Sequence, residues 1–190
     1  VKCADGCINP VGIMNEAVFN NIVARGGKLI LMTHVGRPRK KESGHISISE
    51  KTSVQPIVDY LQQKLHITFK VPQFHQDENK GYTGIETSIN HMIKELRDDR
   101  IDGIYLPNTR WFAGEEADGE EATRFANQLA GLADIFINDA FGSWQPHAST
   151  VGVNKFLPSY AGFLMQKEIE NLDRIYDPAR PFTAVVAGAK

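Results

Sequence analysis

Short apolar runs rich in β-branched residues recur along the chain, and each is bounded by glycine, proline or polar turn residues. Strands that are covered by helices on both faces have this nearly continuous hydrophobic pattern. Five such runs therefore predict buried β-strands, at residues 28–33, 67–71, 101–106, 133–138 and 182–187.

Stretches of helical length, with apolar residues spaced three and four positions apart, lie between these runs. One face of each stretch is apolar and the other is polar, as in helices that pack on a sheet. They predict helices at 54–65, 85–96, 121–132 and 161–176, the third ending near Gly131. Alternating strands and helices predict an α/β fold with a parallel sheet, in which we expect the first, third and fourth strands at the centre.

The last predicted helix interrupts this alternation. It is long and amphipathic, and the segment DPARP and a new strand follow it. We interpret residues 1–160 as one domain, 161–180 as a connecting helix and linker, and 181–190 as the start of a second domain. A chain cut just after a strand leaves an unpaired edge, so we expect the sequence to be part of a longer protein.

The amino-acid composition indicates a globular protein and limits the kinds of partner that its overall charge could attract. Hydrophobic residues make up 42% of the 190 residues and charged residues 23%, which is typical of a globular protein. The net charge of −2 gives no general attraction to nucleic acid or to a membrane, so any anion site has to be a local cluster.

No apolar run reaches the roughly 20 residues that span a bilayer. The first residues also lack the basic and then apolar pattern of a secretory signal, so we expect a cytoplasmic protein. Because Cys3 and Cys7 lack a second Cys/His pair at zinc-ligand spacing, we expect reduced thiols and no metal site.

The candidate chemistry follows the predicted strands, because ligands of doubly wound sheets bind at the carboxyl ends of the strands. His34 and Arg37 follow the first strand on a loop stiffened by Pro38, which places two potential cations over the strand end. Arg110 follows the third strand, beside two aromatic residues. Together they predict a pocket for a small, doubly anionic metabolite, since a guanidinium suits a carboxylate or phosphate. The alternative is that each arginine is an ion-paired surface residue.

Other polar residues have simpler interpretations. Asp139, after the fourth strand, either lies beside a ligand or only caps a turn. The polar and basic stretch 37–50 predicts a mobile loop, in which we expect residues 39–41 to be solvated.

Taken in order, several motifs resemble those of the phosphoglycerate kinase family. They are LMTHVGRP, LPNTRWF, INDAFG, the stretch HASTVGVNKFLPSYAGFLMQKEIENL and the closing VVAGAK. The resemblance covers most of residues 26–190. It implies two three-layer, Rossmann-like domains joined by a long helix, the first binding 3-phosphoglycerate and the second Mg-ATP or Mg-ADP, with hinge closure between them. By this resemblance residues 1–160 are the 3-phosphoglycerate-binding domain, and 181–190 begin the nucleotide-binding domain.

The resemblance also implies roles for four residues. His34, Arg37 and Arg110 correspond to residues that hold the carboxylate and phosphate of 3-phosphoglycerate. Lys190 corresponds to a lysine that steadies the transferring phosphoryl group. The implied protein is a glycolytic monomer that transfers phosphate reversibly between 1,3-bisphosphoglycerate and ADP. Mg²⁺ and ATP or ADP would bind mainly through the second domain, so we expect the 190 residues alone to be inactive.

Several family motifs are altered or missing, which leaves alternatives open. Residues 1–24 contain neither an RVDFNVP segment nor an arginine, and GSWQPHAST stands where members read GTAHRAHAST. Pro107 replaces the glutamate of an ENLRF segment, and Ala187 the first glycine of a GGAK turn. The resemblance therefore implies either part of a phosphoglycerate kinase or a degenerate relative that senses an anion or a protein partner without turnover. As a third alternative, the missing first-strand motif reflects the bounds of the sequence.

Overall fold

The computed structural model describes residues 16–143 and 145–185. Its α-helices are α1 (Glu16–Ala24), α2 (Gln55–Leu65), α3 (Ile89–Arg97), α4 (Gly119–Ala130) and α5 (Phe163–Asp173). Its strands are β1 (Leu29–Leu31), β2 (Phe69–Lys70), β3 (Gln76–Asp77), β4 (Gly81–Tyr82), β5 (Gly103–Tyr105), β6 (Phe136–Asn138) and β7 (Ser159–Ala161). The four predicted helices are thus confirmed as α2 to α5. None of the helices in the described ranges is long and apolar enough to cross a membrane.

Three parallel strands form the central sheet, in the order β1–β5–β2. Gly103 of β5 lies opposite Leu29 on one side and opposite Phe69 on the other. The strands predicted at 28–33, 67–71 and 101–106 are therefore confirmed, and so is their parallel arrangement.

Two hydrophobic cores lie on the two faces of this sheet, because successive residues of a strand point to opposite sides. Ile104 packs in one core with Phe125 of α4 and Leu96 of α3. The next residue along β5, Tyr105, packs in the other core with Val58 of α2. Helices therefore cover both faces, which confirms the predicted three-layer α/β architecture.

The prediction for the fourth strand is only partly correct. Residues 136–138 do form a strand, β6, but it pairs in parallel with β7 in a separate two-stranded sheet. Of the three strands expected at the centre, only β5 has a neighbour on each side among the described residues. The reason is that β7, at Ser159–Ala161, supplies the partner of β6, and this strand is too short and too exposed to leave a hydrophobic pattern.

Two further expectations differ from the structure. Residues 182–185 form no strand and are exposed, while residues 186–190 lie outside the described ranges. The second domain at 181–190 therefore stays a prediction. The stretch 37–50 is not a loose loop, because Ile46 is buried, donates its N–H to the carbonyl of Asn79 and forms an antiparallel bridge with Arg39.

Candidate functional site

The loops that follow β1 and β5 lie side by side at the carboxyl ends of these strands. Thr109 donates its N–H to the carbonyl of Thr33 at 3.1 Å, so the parallel pairing continues beyond the sheet. The loop that carries His34 and Arg37 consequently runs next to the loop that carries Arg110.

Asn108 holds these two loops together. Its side chain is fully buried, and its Nδ2 donates to the carbonyls of Val35 and Thr52, each at 2.8 Å. Its Oδ1 accepts the N–H of Arg110 at 3.0 Å, which begins a short 3₁₀ turn at Thr109–Trp111. One amide therefore fixes the position from which the Arg110 side chain leaves the backbone.

The Arg110 guanidinium reaches back to the first loop. Its Nη1 donates to the carbonyl of Gly36 at 2.7 Å, and its Nε lies 3.0 Å from Oε1 of Glu116. Gly36 adopts a left-handed conformation with φ of 65°, which glycine tolerates better than other residues. The backbone therefore turns tightly at Gly36 and directs a carbonyl at Arg110.

His34 lies in the same cluster and is partly buried. Its pKa falls from the usual 6.5 to about 4, first because burial disfavours the charged ring, then because of the nearby charges of Arg110 and His147. The negative charge of Glu116 raises the pKa of His34 and so partly offsets these effects. The lowered pKa keeps the His34 ring neutral at pH 7, and its role in binding an anion stays a prediction.

The remaining predicted residues have different positions. Arg37 is exposed and forms no hydrogen bond or ion pair with any described residue. Lys190 lies outside the described residues. The structure thus brings His34 and Arg110 together and leaves Arg37 on the same loop, with its side chain open to solvent.

Arg39 was missed as a member of this cluster, and the expectation that it is solvated is wrong. Its Nη2 donates to the carbonyl of Ala113 at 2.6 Å, and its Nε lies 3.8 Å from Oε2 of Glu116. In the sequence, Arg39 stands in a basic run that is typical of an exposed loop. Its partners are more than 70 positions away in the chain, so no local signal marks it.

Glu115, which the sequence analysis did not identify, fixes the position of the segment that contains His147 by binding Ser149. This carboxylate is 1% exposed and accepts the N–H of Ser149 at 3.0 Å and its hydroxyl at 2.5 Å. Charged residues are rarely buried this fully unless they are paired. Glu115 therefore brings His147 near His34 by holding the backbone two residues further along.

Asp139 caps α5. Its Oδ1 accepts the N–H groups of Leu164 at 2.7 Å and Met165 at 3.2 Å, in the first turn of that helix. Of the two readings of Asp139, capping is the one that the hydrogen bonds bear out, although it caps a helix and not a turn. The residue joins the end of β6 to the connecting helix.

An open cleft of about 760 Å³ lies beside these loops, at the carboxyl ends of β2 and β5. Lys70, Gln73, Pro107 and Trp111 are among its lining residues, which do not include His34, Arg37 or Arg110. In the described ranges, no group of three or more His, Cys, Asp or Glu side chains is arranged to hold a metal ion.

Comparisons with known proteins agree with one another. The family model described as phosphoglycerate kinase matches residues 16–190. A phosphoglycerate kinase from Synechococcus sp. (strain CC9311) is 38% identical over 177 residues, which cover 90% of this chain and 39% of that protein. The chloroplastic phosphoglycerate kinase 1 of Arabidopsis thaliana is 37% identical over 172 residues, 89% of this chain and 31% of that protein.

A solved structure of phosphoglycerate kinase from Coxiella burnetii supports the fold. It matches 92% of this chain and 40% of its own chain, with a TM-score of 0.58 and 22% identity. The chain therefore spans less than half the length of the relatives that it matches.

Proposed function

The chain belongs to the phosphoglycerate kinase family, a family of phosphotransferases, and on this basis we propose that it is the 3-phosphoglycerate-binding part of such a kinase. The proposed reaction is reversible phosphoryl transfer between 1,3-bisphosphoglycerate and ADP. Because the relatives are more than twice as long, the 190 residues would bind one substrate and depend on a further domain for turnover.

One observation supports this proposal most directly: Arg110 is held beside His34 at the carboxyl ends of β1 and β5. 3-Phosphoglycerate carries a phosphate and a carboxylate, and a guanidinium donates two parallel hydrogen bonds to either group. Arg37 on the same loop adds an exposed cation, and the neutral His34 ring adds an N–H donor. Phosphoryl transfer needs charge neutralisation and alignment more than a protein nucleophile, so this set of groups suits the acceptor side of the reaction.

ATP or ADP with Mg²⁺ would bind through the second domain, and Lys190 would contact the transferring phosphoryl group. The cytoplasmic location and the monomeric state stay predictions.

A second candidate function is anion binding without turnover. It is favoured by the segment GSWQPHAST, which has no arginine where family members carry one. Fewer cations around the ligand should weaken binding, by about ten- to a hundredfold for each charge-assisted contact that is lost. We therefore expect this chain to bind 3-phosphoglycerate with an affinity weaker than micromolar.

Calorimetric titration of 3-phosphoglycerate and of inorganic phosphate into the chain tests the proposal. Arg110→Ala should weaken 3-phosphoglycerate binding at least about tenfold. Arg124→Ala is the matched control, because Arg124 is an exposed arginine of α4 whose ion pair with Glu121 is 3.9 Å long. Equal losses in the two variants, or equal binding of the two ligands, would contradict the proposed substrate. Assay of phosphoryl transfer by the longer protein separates the kinase from the binding protein.

A further inference from the structure

One carboxylate of the candidate site faces two guanidinium groups. Glu116 places Oε1 3.0 Å from Nε of Arg110 and Oε2 3.8 Å from Nε of Arg39. Both Nε atoms are buried, and neither has a hydrogen-bond acceptor, so their N–H bonds do not point at the carboxylate. The two contacts are therefore attractions between charges and not directed hydrogen bonds.

Backbone carbonyls orient the two guanidiniums instead. Arg110 donates from Nη1 to Gly36 at 2.7 Å, and Arg39 donates from Nη2 to Ala113 at 2.6 Å. These hydrogen bonds would persist if the charge of Glu116 were removed. The carboxylate thus affects the charge of the cluster much more than its geometry.

We propose that Arg39 and Glu116 together set the anion affinity of this site. Because Glu116 interacts with both arginines, its negative charge does not fully offset the positive potential that Arg110 presents to a dianionic ligand. The inference rests on the proposed function, because it concerns the same site. The three groups carry a net charge of +1, whereas Glu116 and Arg110 alone would cancel. Arg39 thus sets the anion affinity of the site through Glu116.

The charge of this cluster matters because, apart from the exposed Arg37, the neighbouring groups add little positive charge. His34 is neutral at pH 7, and the segment that carries His147 lacks an arginine. Side chains that are largely buried are weakly screened, so one unit of charge at Glu116 has a large effect on a nearby phosphate. The side chains of Glu116 and Arg110 are 23% and 12% exposed.

Four variants of the chain test the inference, each titrated with inorganic phosphate and with 3-phosphoglycerate. Arg39→Ala should weaken binding about tenfold, because Glu116 then neutralises Arg110 alone. Glu116→Gln should tighten binding about tenfold, and the double variant Arg39→Ala/Glu116→Gln should return to within about threefold of the wild type. Arg39→Lys keeps the charge and should retain most of the affinity, which separates charge from packing.

Lys41→Ala is the control, because it removes one positive charge from an exposed neighbour on the same loop. We expect it to change affinity less than about twofold. Melting temperatures of all variants identify any that fail to fold, and in that case Arg39→Lys and Glu116→Gln carry the comparison.

The outcomes distinguish this inference from the proposed function. The inference is overturned if Arg39→Ala matches Lys41→Ala, or if Glu116→Gln weakens binding, even when 3-phosphoglycerate binds normally. A chain that binds phosphate in the expected order of variants but shows no preference for 3-phosphoglycerate would refute the proposed substrate and support the inference. A wild-type chain that binds neither ligand would refute both.

Discussion

At the scale of single residues, Asn108 has the largest structural effect on the site, because one buried amide serves three backbone groups. Asn108→Ala would leave one buried and one partly buried carbonyl without this donor, so it should lower the free energy of unfolding by about 2–3 kcal/mol. Asn90→Ala, on the exposed side of α3, should change it by less than about 0.5 kcal/mol. Urea unfolding measures both, and similar values for the two variants would contradict the role of Asn108.

The low pKa of His34 predicts how stability depends on pH. The ring titrates near 6.5 in the unfolded chain and at about 4 in the folded one. Between these values the unfolded state binds more protons, so stability contributed by His34 is complete above pH 6.5 and is lost as pH falls towards 4. Solvent screening of the partly exposed ring limits the effect to about 1–2 kcal/mol.

NMR titration of the His34 ring measures this pKa directly. Arg110→Ala should raise it, because the Arg110 charge opposes protonation of the ring. His34→Gln should flatten the dependence of urea unfolding on pH between 4 and 6.5. A ring that titrates near 6.5 in the folded chain would show that His34 is a cation at the lower end of the physiological range after all.

At the scale of the elements, Asp139 determines how α5 joins the sheet. Its Oδ1 accepts two N–H groups of the helix, and Gly162 leaves room for it, since a Cβ there would lie 2.3 Å from this oxygen. Asp139→Ala should lower the free energy of unfolding by about 1–2 kcal/mol and speed amide exchange at Leu164 and Met165. Asp139→Asn keeps an acceptor and should lose less. Unchanged exchange in Asp139→Ala would contradict the capping role.

We expect α5 to be covered by a second domain in a longer protein. Phe163, Leu164, Ile169 and Leu172 are each 40–47% exposed, and none of the helix residues is fully buried. Large exposed apolar side chains on one helix are consistent with a surface that packs against a further domain. We expect amides of α5 to exchange more slowly in a longer protein that includes the second domain than in the 190-residue chain. Equal exchange rates would contradict the interdomain position of the helix.

At the scale of the whole molecule, turnover should require hinge closure that brings Lys190 to the loops of Arg37 and Arg110, since reacting atoms must approach within about 3–3.5 Å. In the full-length protein, Lys190→Ala should lower kcat by about a hundredfold or more. The affinity for 3-phosphoglycerate should stay within about twofold, because the lysine contacts the transferring group and not the bound acceptor.

Lys167→Ala, on the exposed side of α5, serves as the control for that variant and should leave both constants unchanged. Steady-state kinetics in the direction of ATP consumption provides kcat and the KM for 3-phosphoglycerate. Equal losses of binding and turnover in Lys190→Ala, or no loss of either, would mean that the turn at 187–190 is structural.

The sequence alone determined α2 to α5 and the three strands of the central sheet, because periodicity is a local property of the chain. The apolar run at 101–106 identified β5, and the spacing of Ile57, Val58 and Leu61 identified α2 and its buried face. It also placed His34 and Arg110 after neighbouring strands. Pairing is not local, however, so the sequence did not reveal that β6 takes the short and exposed β7 as its partner.

Tertiary structure alone decided the charges of the site. His34 loses its charge because folding buries it beside Arg110, which is 76 positions away in the chain. Arg39 packs into the site because the carbonyl of Ala113 and the carboxylate of Glu116 come within reach of its guanidinium. These partners are near Arg39 only after β1 and β5 pair. Electrostatic free energies depend on distance and burial in space, and a residue's identity and its neighbours in the sequence determine neither.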